Sequence, residues 1–266
     1  MRNLFCGLLL ALFLAPTLAP LAEATSLDPL TIEDATLLPL NRGEFRLGFA
    51  YKDNKPNLFQ ENNLNRKEMT SPGLSLRLGL AERVELLLRY RLVYAEDDVY
   101  GSNYGSGDLE ISTKIRLLQE DLSTPAVALL LTTKLPNGDS DKNLGSDETD
   151  FGFDLLATRN YASFSLFSAL GMRLLGEPDG GQDDKLHYAL GVRVPLLEQR
   201  LDFLTGVEGV EIGRHFNRRG VFQAGLQYIF SSATFDIGGT VGYRAESEDW
   251  SVRAGLTTWF ELPSSW

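Results

Sequence analysis

The sequence predicts an all-β protein: a single up-and-down antiparallel transmembrane β-barrel of about 12 strands behind an N-terminal signal peptide. Three observations carry that prediction. Aliphatic and aromatic residues recur at every second position along most of the chain, which is the period of a strand. The connections between these runs alternate long and short, so every long one falls at the same end of a meander. The face opposite the oily one holds Gly48, Gly79, Gly152, Gly171, Gly191, Gly225, Gly238, Gly242 and Gly255, interleaved with Arg77, Arg173, Arg193 and Arg253. A water-facing exterior would favour Lys, Glu and Thr, because glycine weakens a strand and gains nothing there. In a barrel interior, glycine leaves room for long charged side chains and lets the wall bend.

The leader comes first. Arg2, an apolar run from Leu4 to Leu14, Pro16, Pro20 and the triplet Ala22-Glu23-Ala24 have the layout of a signal peptide cut after Ala24. The run is shorter than the ~20 residues of a spanning helix. The expected organisation is signal peptide 1–24, extended lead-in 25–40, barrel 41–260 and C-terminal tail 261–266. Cys6, the only cysteine, lies in the leader, so the exported chain has no disulfide, thiolate nucleophile or Cys-ligated metal. A net charge of -11 argues against nucleic acid, which wants a basic face. A mean hydropathy of -0.12, with no long apolar run past the leader, excludes helical spans but not strands that show lipid only alternate residues.

In the first strand Phe45, Leu47, Phe49 and Tyr51 share a face, with Glu44, Arg46, Gly48 and Ala50 behind them. Residues 52–72, rich in Asn and Lys, read as a loop. Leu74 to Leu80 and Val84 to Tyr94 alternate around a turn at 81–83, and an acidic loop is expected over 95–106. Residues 108–117 place Leu109, Ile111, Ile115 and Leu117 opposite Asp108, Glu110, Lys114 and Arg116. A strand from 126 to Leu135 ends at Pro136-Asn137-Gly138-Asp139, and alternation resumes from Asp150 to Thr158. Oily faces follow at Phe164 to Leu174, Leu186 to Val194, a strand from Leu201 that loses phase after Val207, Phe222 to Phe230, Phe235 to Tyr243, and Trp250 to Phe260. The strands match the ~9–11 residues that cross a bilayer at a tilt. Tyr51, Tyr90, Tyr94, Phe151, Tyr188, Tyr243, Trp250 and Phe260 lie toward strand ends, as an interfacial girdle would. Either Phe260 or Trp266 is the terminal aromatic, since Pro263 stops the last strand.

Gly107-Asp108-Leu109, Lys114-Ile115-Arg116-Leu117, Lys134-Leu135-Pro136-Asn137-Gly138-Asp139, Leu144-Gly145-Ser146 and Asp150-Phe151-Gly152 resemble the outer-membrane family named for the meta-pathway of phenol degradation. The match is clearest from 107 to 176, and Asn137 stands where the family more often has Thr. The resemblance implies a bacterial outer-membrane barrel that passes small hydrophobic or aromatic molecules, and the leader implies export by the general secretory route. Its expected partners are outer-membrane lipid and lipopolysaccharide, the barrel-assembly machinery and an unidentified cargo, with no cofactor.

The candidate lumen-lining residues are Glu44, Arg46, Arg77, Glu85, Arg89, Arg91, Asp108, Glu110, Lys114, Arg116, Arg173, His187, Arg193, Asp236 and Arg253. They form either a polar path or a wall of mutual salt bridges that fills a narrow barrel. Arg214, Arg218 and Arg219 are candidates for lipopolysaccharide phosphates. Residues 139–145 start like a calcium loop, but Leu144 replaces its glycine and Asp150 its closing Glu, so a solvated acidic loop is expected. A lipid-modifying enzyme is the main alternative to a channel, and its base would be His187 or His215; a structural or lipopolysaccharide-binding barrel without transport is the other.

Overall fold

Where the sequence alternates, the chain is extended and paired. The computed structural model describes residues 26–55, 66–176, 181–211, 218–244 and 246–263; the signal peptide, Arg214, His215 and Trp266 lie outside them. The strands are β1 (Arg42–Asp53), β2 (Lys67–Ala81), β3 (Val84–Asp97), β4 (Gly101–Ser106), β5 (Leu109–Leu118), β6 (Ala126–Leu135) and β7 (Asp150–Asn160), then β8 (Ser165–Gly176), β9 (Gln182–Leu196), β10 (Leu201–Glu211), β11 (Arg219–Ile229), β12 (Ala233–Gly242) and β13 (Trp250–Glu261). Each pairs antiparallel with its neighbours, and β1 pairs with β13 from Arg42 opposite Glu261 to Asp53 opposite Trp250. That seam closes the sheet, so every backbone donor and acceptor in the wall has a strand beside it, as lipid demands.

The wall has twelve strands although thirteen are separate in sequence. β5 pairs with the first half of β3, Val84 to Arg89, and β4 pairs with the second half of the same edge, Leu92 to Asp97. Together β4 and β5 make one long wall strand, interrupted at Gly107-Asp108. The expected loop over 95–106 is therefore a strand hairpin turning near 98–100. Its Asn, Gly and Ser content hides it from a hydrophobicity pattern. The loop expected over 52–72 is corrected likewise: β1 continues through Asp53 and β2 begins at Lys67. There the inward positions are charged, Lys52 opposite Glu68, and Pro72 sits in a register shift between Thr70 and Gly73, where it removes no ladder bond.

The outward face is apolar around the whole circumference. Leu47 is 49% exposed, Leu170 58% and Leu256 50%, with Phe153, Phe203 and Ile237 also open, a pattern that only a lipid surround accommodates. At the long-connection rim Tyr51 packs on Trp250 and Phe222 on Tyr243, with ring centroids 5.3 and 4.9 Å apart. β10 keeps its alternation past Val207. Gly209 lies under the Tyr188 ring and Glu208 points inward, so the face lacks the large apolar residues that would mark it.

The lead-in is the main departure from expectation. Residues 26–41 do not lie beside the barrel; they arch up inside it from the short-turn end and come back down. The Asn41 N–H donates to the Gly79 carbonyl (3.0 Å), Leu38 N–H to Glu85 (2.7 Å) and Ala35 N–H to the Thr158 hydroxyl (2.9 Å). At the crown Thr31 N–H donates to Gln223 (2.9 Å), and on the return Gln227 donates to the carbonyls of Asp28 and Ser26 (3.2 and 3.1 Å). Leu27, Leu30, Ile32, Ala35 and Leu37 form one buried cluster with inward residues of the wall, among them Ala128, Leu130, Leu156, Phe167, Ala169 and Leu204. Some inward glycines now have a specific reason. A Cβ on Gly225 or Gly238 would stand 2.3 or 2.5 Å from Pro29 Cγ, and one on Gly79 2.0 Å from the Pro39 carbonyl oxygen. The arch needs the wall bare there.

Candidate functional site

The arch divides the lumen into a filled lower part and an open upper chamber. At its outer foot a chain of ion pairs joins arch to wall. Lys114, on β5, is 1% exposed and reaches Glu33 (3.0 Å), Asp34 (3.7 Å), Glu85 (3.7 Å) and the Thr36 carbonyl (3.3 Å). Glu85 in turn accepts two bonds from Arg77 (3.0 and 2.9 Å), and Arg77 lies 3.5 Å from Glu44. Arg89 bridges Glu33 and Glu110, the latter at 2.7 Å. On the other side Arg46 pairs with Asp236 (2.6 Å) and with Asp28 of the arch (3.4 Å). Charges buried in a lumen persist when each finds an opposite partner, and here the arch supplies three of the seven carboxylates, Asp28, Glu33 and Asp34.

Above the crown is a chamber of 460 Å³, floored by residues 28–33 and walled by β1, β3, β5, β7, β9, β11 and β13 among others. His187 sits on its wall with Nδ1 2.6 Å from Asp154 and Nε2 3.4 Å from Glu208. Asp154 also pairs with Arg173 (2.7 Å), while the second oxygen of Glu208 accepts from Gln223 Nε2 (2.8 Å) and from the Thr31 hydroxyl of the arch. The imidazole is thus held from both ring nitrogens by carboxylates, and among the described residues no hydroxyl bonds it.

The expected lumen residues have these positions. Glu44, Arg77, Glu85, Arg89, Glu110 and Lys114 form the foot network; Arg46 and Asp236 form the opposite one; Arg91, Arg173, His187 and Arg253 line the chamber. Arg193 is buried on the inner face between Leu204 and Ser165. Arg116 is half-buried at the short-turn end of β5, away from the chamber. Asp108 is at the break between β4 and β5, where it anchors the long loop over 136–149. Its carboxylate accepts from Gly138 N–H (2.9 Å) and Ser146 N–H (3.0 Å), while Lys134 lies 3.6 Å away. Gly138 and Gly145 are packed so closely that a Cβ on the first would stand 2.8 Å from Cα of the second.

Arg219, expected at an outer surface facing phosphates, is engaged by a carboxylate of its own chain. It points into the chamber, and its guanidinium bonds Glu248 at 2.8 and 2.6 Å. Arg218 stands alone of that trio at the described rim. In the calcium-like loop the Asp139 carboxylate accepts from Lys142 Nζ (2.6 Å), and Leu144 is buried against Val93 and Ala95. Sequence reasoning missed Asp28, Glu33 and Asp34, since nothing in an aperiodic lead-in marks a residue as inward. It also passed over Asp154 and Glu208, although both fall on the polar phase of their strands.

A family model described as "Putative MetA-pathway of phenol degradation" matches residues 45–262. No curated protein is matched by the chain's sequence. Among solved structures, an outer membrane channel from Pseudomonas putida F1 is similar with a TM-score of 0.69 at 11% identity, over 87% of this chain and 100% of that one. The NanC porin is similar with a TM-score of 0.51 at 11% identity, over 81% and 98%. The translocator domain of the autotransporter NalP from Neisseria meningitidis follows at 0.50 and 14% identity, over 82% and 86%. At such identities what is shared is the barrel fold.

Proposed function

The chain belongs to the family described by the MetA-pathway of phenol degradation, and from that premise we propose that it is an outer-membrane channel for small hydrophobic or aromatic molecules, barred by its own N-terminal arch. The observation that carries this reading is the apolar side of the lower lumen, on β6 to β10. Ala128, Leu130, Leu156, Phe167, Ala169 and Leu204 point inward and are covered by Leu27, Leu30, Ile32 and Leu37 of the arch. Withdrawing the arch uncovers a passage with one apolar side below a charged chamber, and on that side an aromatic cargo replaces the arch's side chains at little cost in exposed surface. The arch is held by side-chain hydrogen bonds and ion pairs and does not pair as a strand, so it can leave without unzipping the wall.

Export by the general secretory route and insertion by the barrel-assembly machinery complete the reading. It favours a channel over a lipid-modifying enzyme because His187 is engaged by Asp154 and Glu208 inside the lumen, away from the bilayer. The test is swelling of proteoliposomes in phenylalanine, an aromatic solute that lipid passes slowly, and in arabinose. Liposomes holding a chain lacking residues 26–38 are expected to swell faster than empty ones, with phenylalanine ahead of arabinose. Swelling equal to that of empty liposomes for both solutes would refute the channel.

A further inference from the structure

The charges facing the chamber do not cancel, although the chain as a whole is acidic. Its carboxylates are already engaged: Glu33 and Glu110 with Arg89, Asp28 with Arg46, Asp154 with Arg173, and Glu208 with Gln223 and His187. Two guanidiniums on the same wall, Arg91 on β3 and Arg253 on β13, make no ion pair among the described residues. Lys52 adds to them weakly, since it stands 3.9 Å from Glu68 while Lys55 holds that carboxylate at 2.6 Å.

The wall between the two arginines is built of short residues. Arg253 is opposite Ala50 on β1, Ala50 is opposite Thr70 on β2, and past the register shift Gly73 is opposite Arg91. Gly48 lines the same patch. Three strand spacings separate the arginines, about 14 Å along the wall; the Arg91 stem lies over Gly107, and both side chains line the one chamber. The Arg46 guanidinium lies over Gly48 but is held by Asp236 and Asp28, so among the described residues Arg91 and Arg253 are left as the unpaired guanidiniums of the chamber. A carboxylate suits such a place, because guanidinium binds it through two parallel N–H···O bonds and a small anion removes an unbalanced charge.

We propose that this patch is a binding station for small organic carboxylates, and that the cargo of the channel is therefore an aromatic acid, its carboxylate held by Arg91 and Arg253 and its ring directed to the apolar side of the passage below. The cargo assignment rests on the channel reading above; the binding station does not. The test is calorimetric titration of the detergent-solubilised full chain with benzoate, and with benzyl alcohol as the uncharged counterpart. Benzoate is expected to bind, about tenfold more weakly after Arg91→Gln or Arg253→Gln alone, and not measurably after both, by the usual worth of one charge-assisted bond. Benzyl alcohol is expected to bind more weakly than benzoate to the parent chain and equally to parent and variants. Matching circular dichroism spectra show that the variants are folded. Absence of benzoate binding by the parent chain, or equal binding by the double variant, overturns the proposal. A chain that conducts but does not bind benzoate leaves the channel and removes the station. One that binds benzoate but never conducts, even without residues 26–38, does the reverse.

Discussion

Replacing Lys114 by Met loosens the arch without touching the outer wall. The ammonium is buried, with carboxylates of Glu33, Asp34 and Glu85 at 3.0, 3.7 and 3.7 Å and the Thr36 carbonyl at 3.3 Å. Methionine fills the same length but leaves those acceptors short of a cation. Breaking a buried ion network by removing one partner costs ~3–5 kcal/mol. Glu33 keeps Arg89 and Glu85 keeps Arg77, so the low end applies, ~3 kcal/mol, and it falls on the docked arch because three of the four contacts are to residues 33–36. At 1.4 kcal/mol per tenfold, the undocked fraction rises about a hundredfold. Ala35 reports on it: it is buried, its N–H bonds Thr158, and cysteine is close to it in size. In a Cys6→Ser, Ala35→Cys chain, maleimide labelling follows arch opening, and Lys114→Met is expected to speed it about a hundredfold. Arg116→Met, one inward position further along β5 and away from the arch, is the control and leaves the rate unchanged. Equal rates in the Lys114 variant and its parent would show that the arch is not held by this network.

Other parts of the structure give independent expectations. Gly225→Val places a Cβ 2.3 Å from Pro29 Cγ, so it speeds labelling at position 35 while the barrel stays folded by circular dichroism; unchanged labelling means that the arch does not seat there. Asp108→Ala leaves Gly138 and Ser146 N–H without their acceptor, a cost of about 2–4 kcal/mol, and is expected to make residues 139–148 the first site of limited proteolysis. In the turn after β5, bonds from Ser123 N–H (2.7 Å), Thr124 N–H (2.8 Å) and the Ser123 hydroxyl (2.9 Å) hold the Asp121 carboxyl down to about 2 from 3.8. A depressed carboxyl contributes fully above its unfolded value and loses that contribution as pH falls through the folded one. Protection of the Ser123 and Thr124 amides therefore persists at pH 3.8 and fails near 2; loss already at 3.8 contradicts the geometry.

The wall was legible because lipid makes every second residue apolar, so Leu47, Leu88, Ile115 and Leu256 report their side of the sheet without help from tertiary structure. What escaped was whatever did not alternate in hydrophobicity. β4 is Gly-Ser-Asn-Tyr-Gly-Ser, a strand by its pairing with β3 and not by composition. The arch has no period because it is neither helix nor strand, and its leucines are buried by a lumen that sequence places only afterwards. The inward glycines gave the clue in another form: Gly79, Gly225 and Gly238 suggested room for side chains of the wall, and the arch occupies that room with Pro39 backbone and the Pro29 ring. Asp108 shows the same limit at the level of one residue. Its phase along the strand is inward, yet its partners are two amides 30 and 38 positions away, which only the folded loop brings together.

The central claim is that residues 26–38 bar a passage through the barrel. Single-channel recording in planar bilayers of the full chain and of the chain lacking those residues tests it most directly. The expected result is rare, small openings for the full chain and a steady, larger conductance for the shortened one, with both folded by circular dichroism. Identical conductance from the two would contradict it.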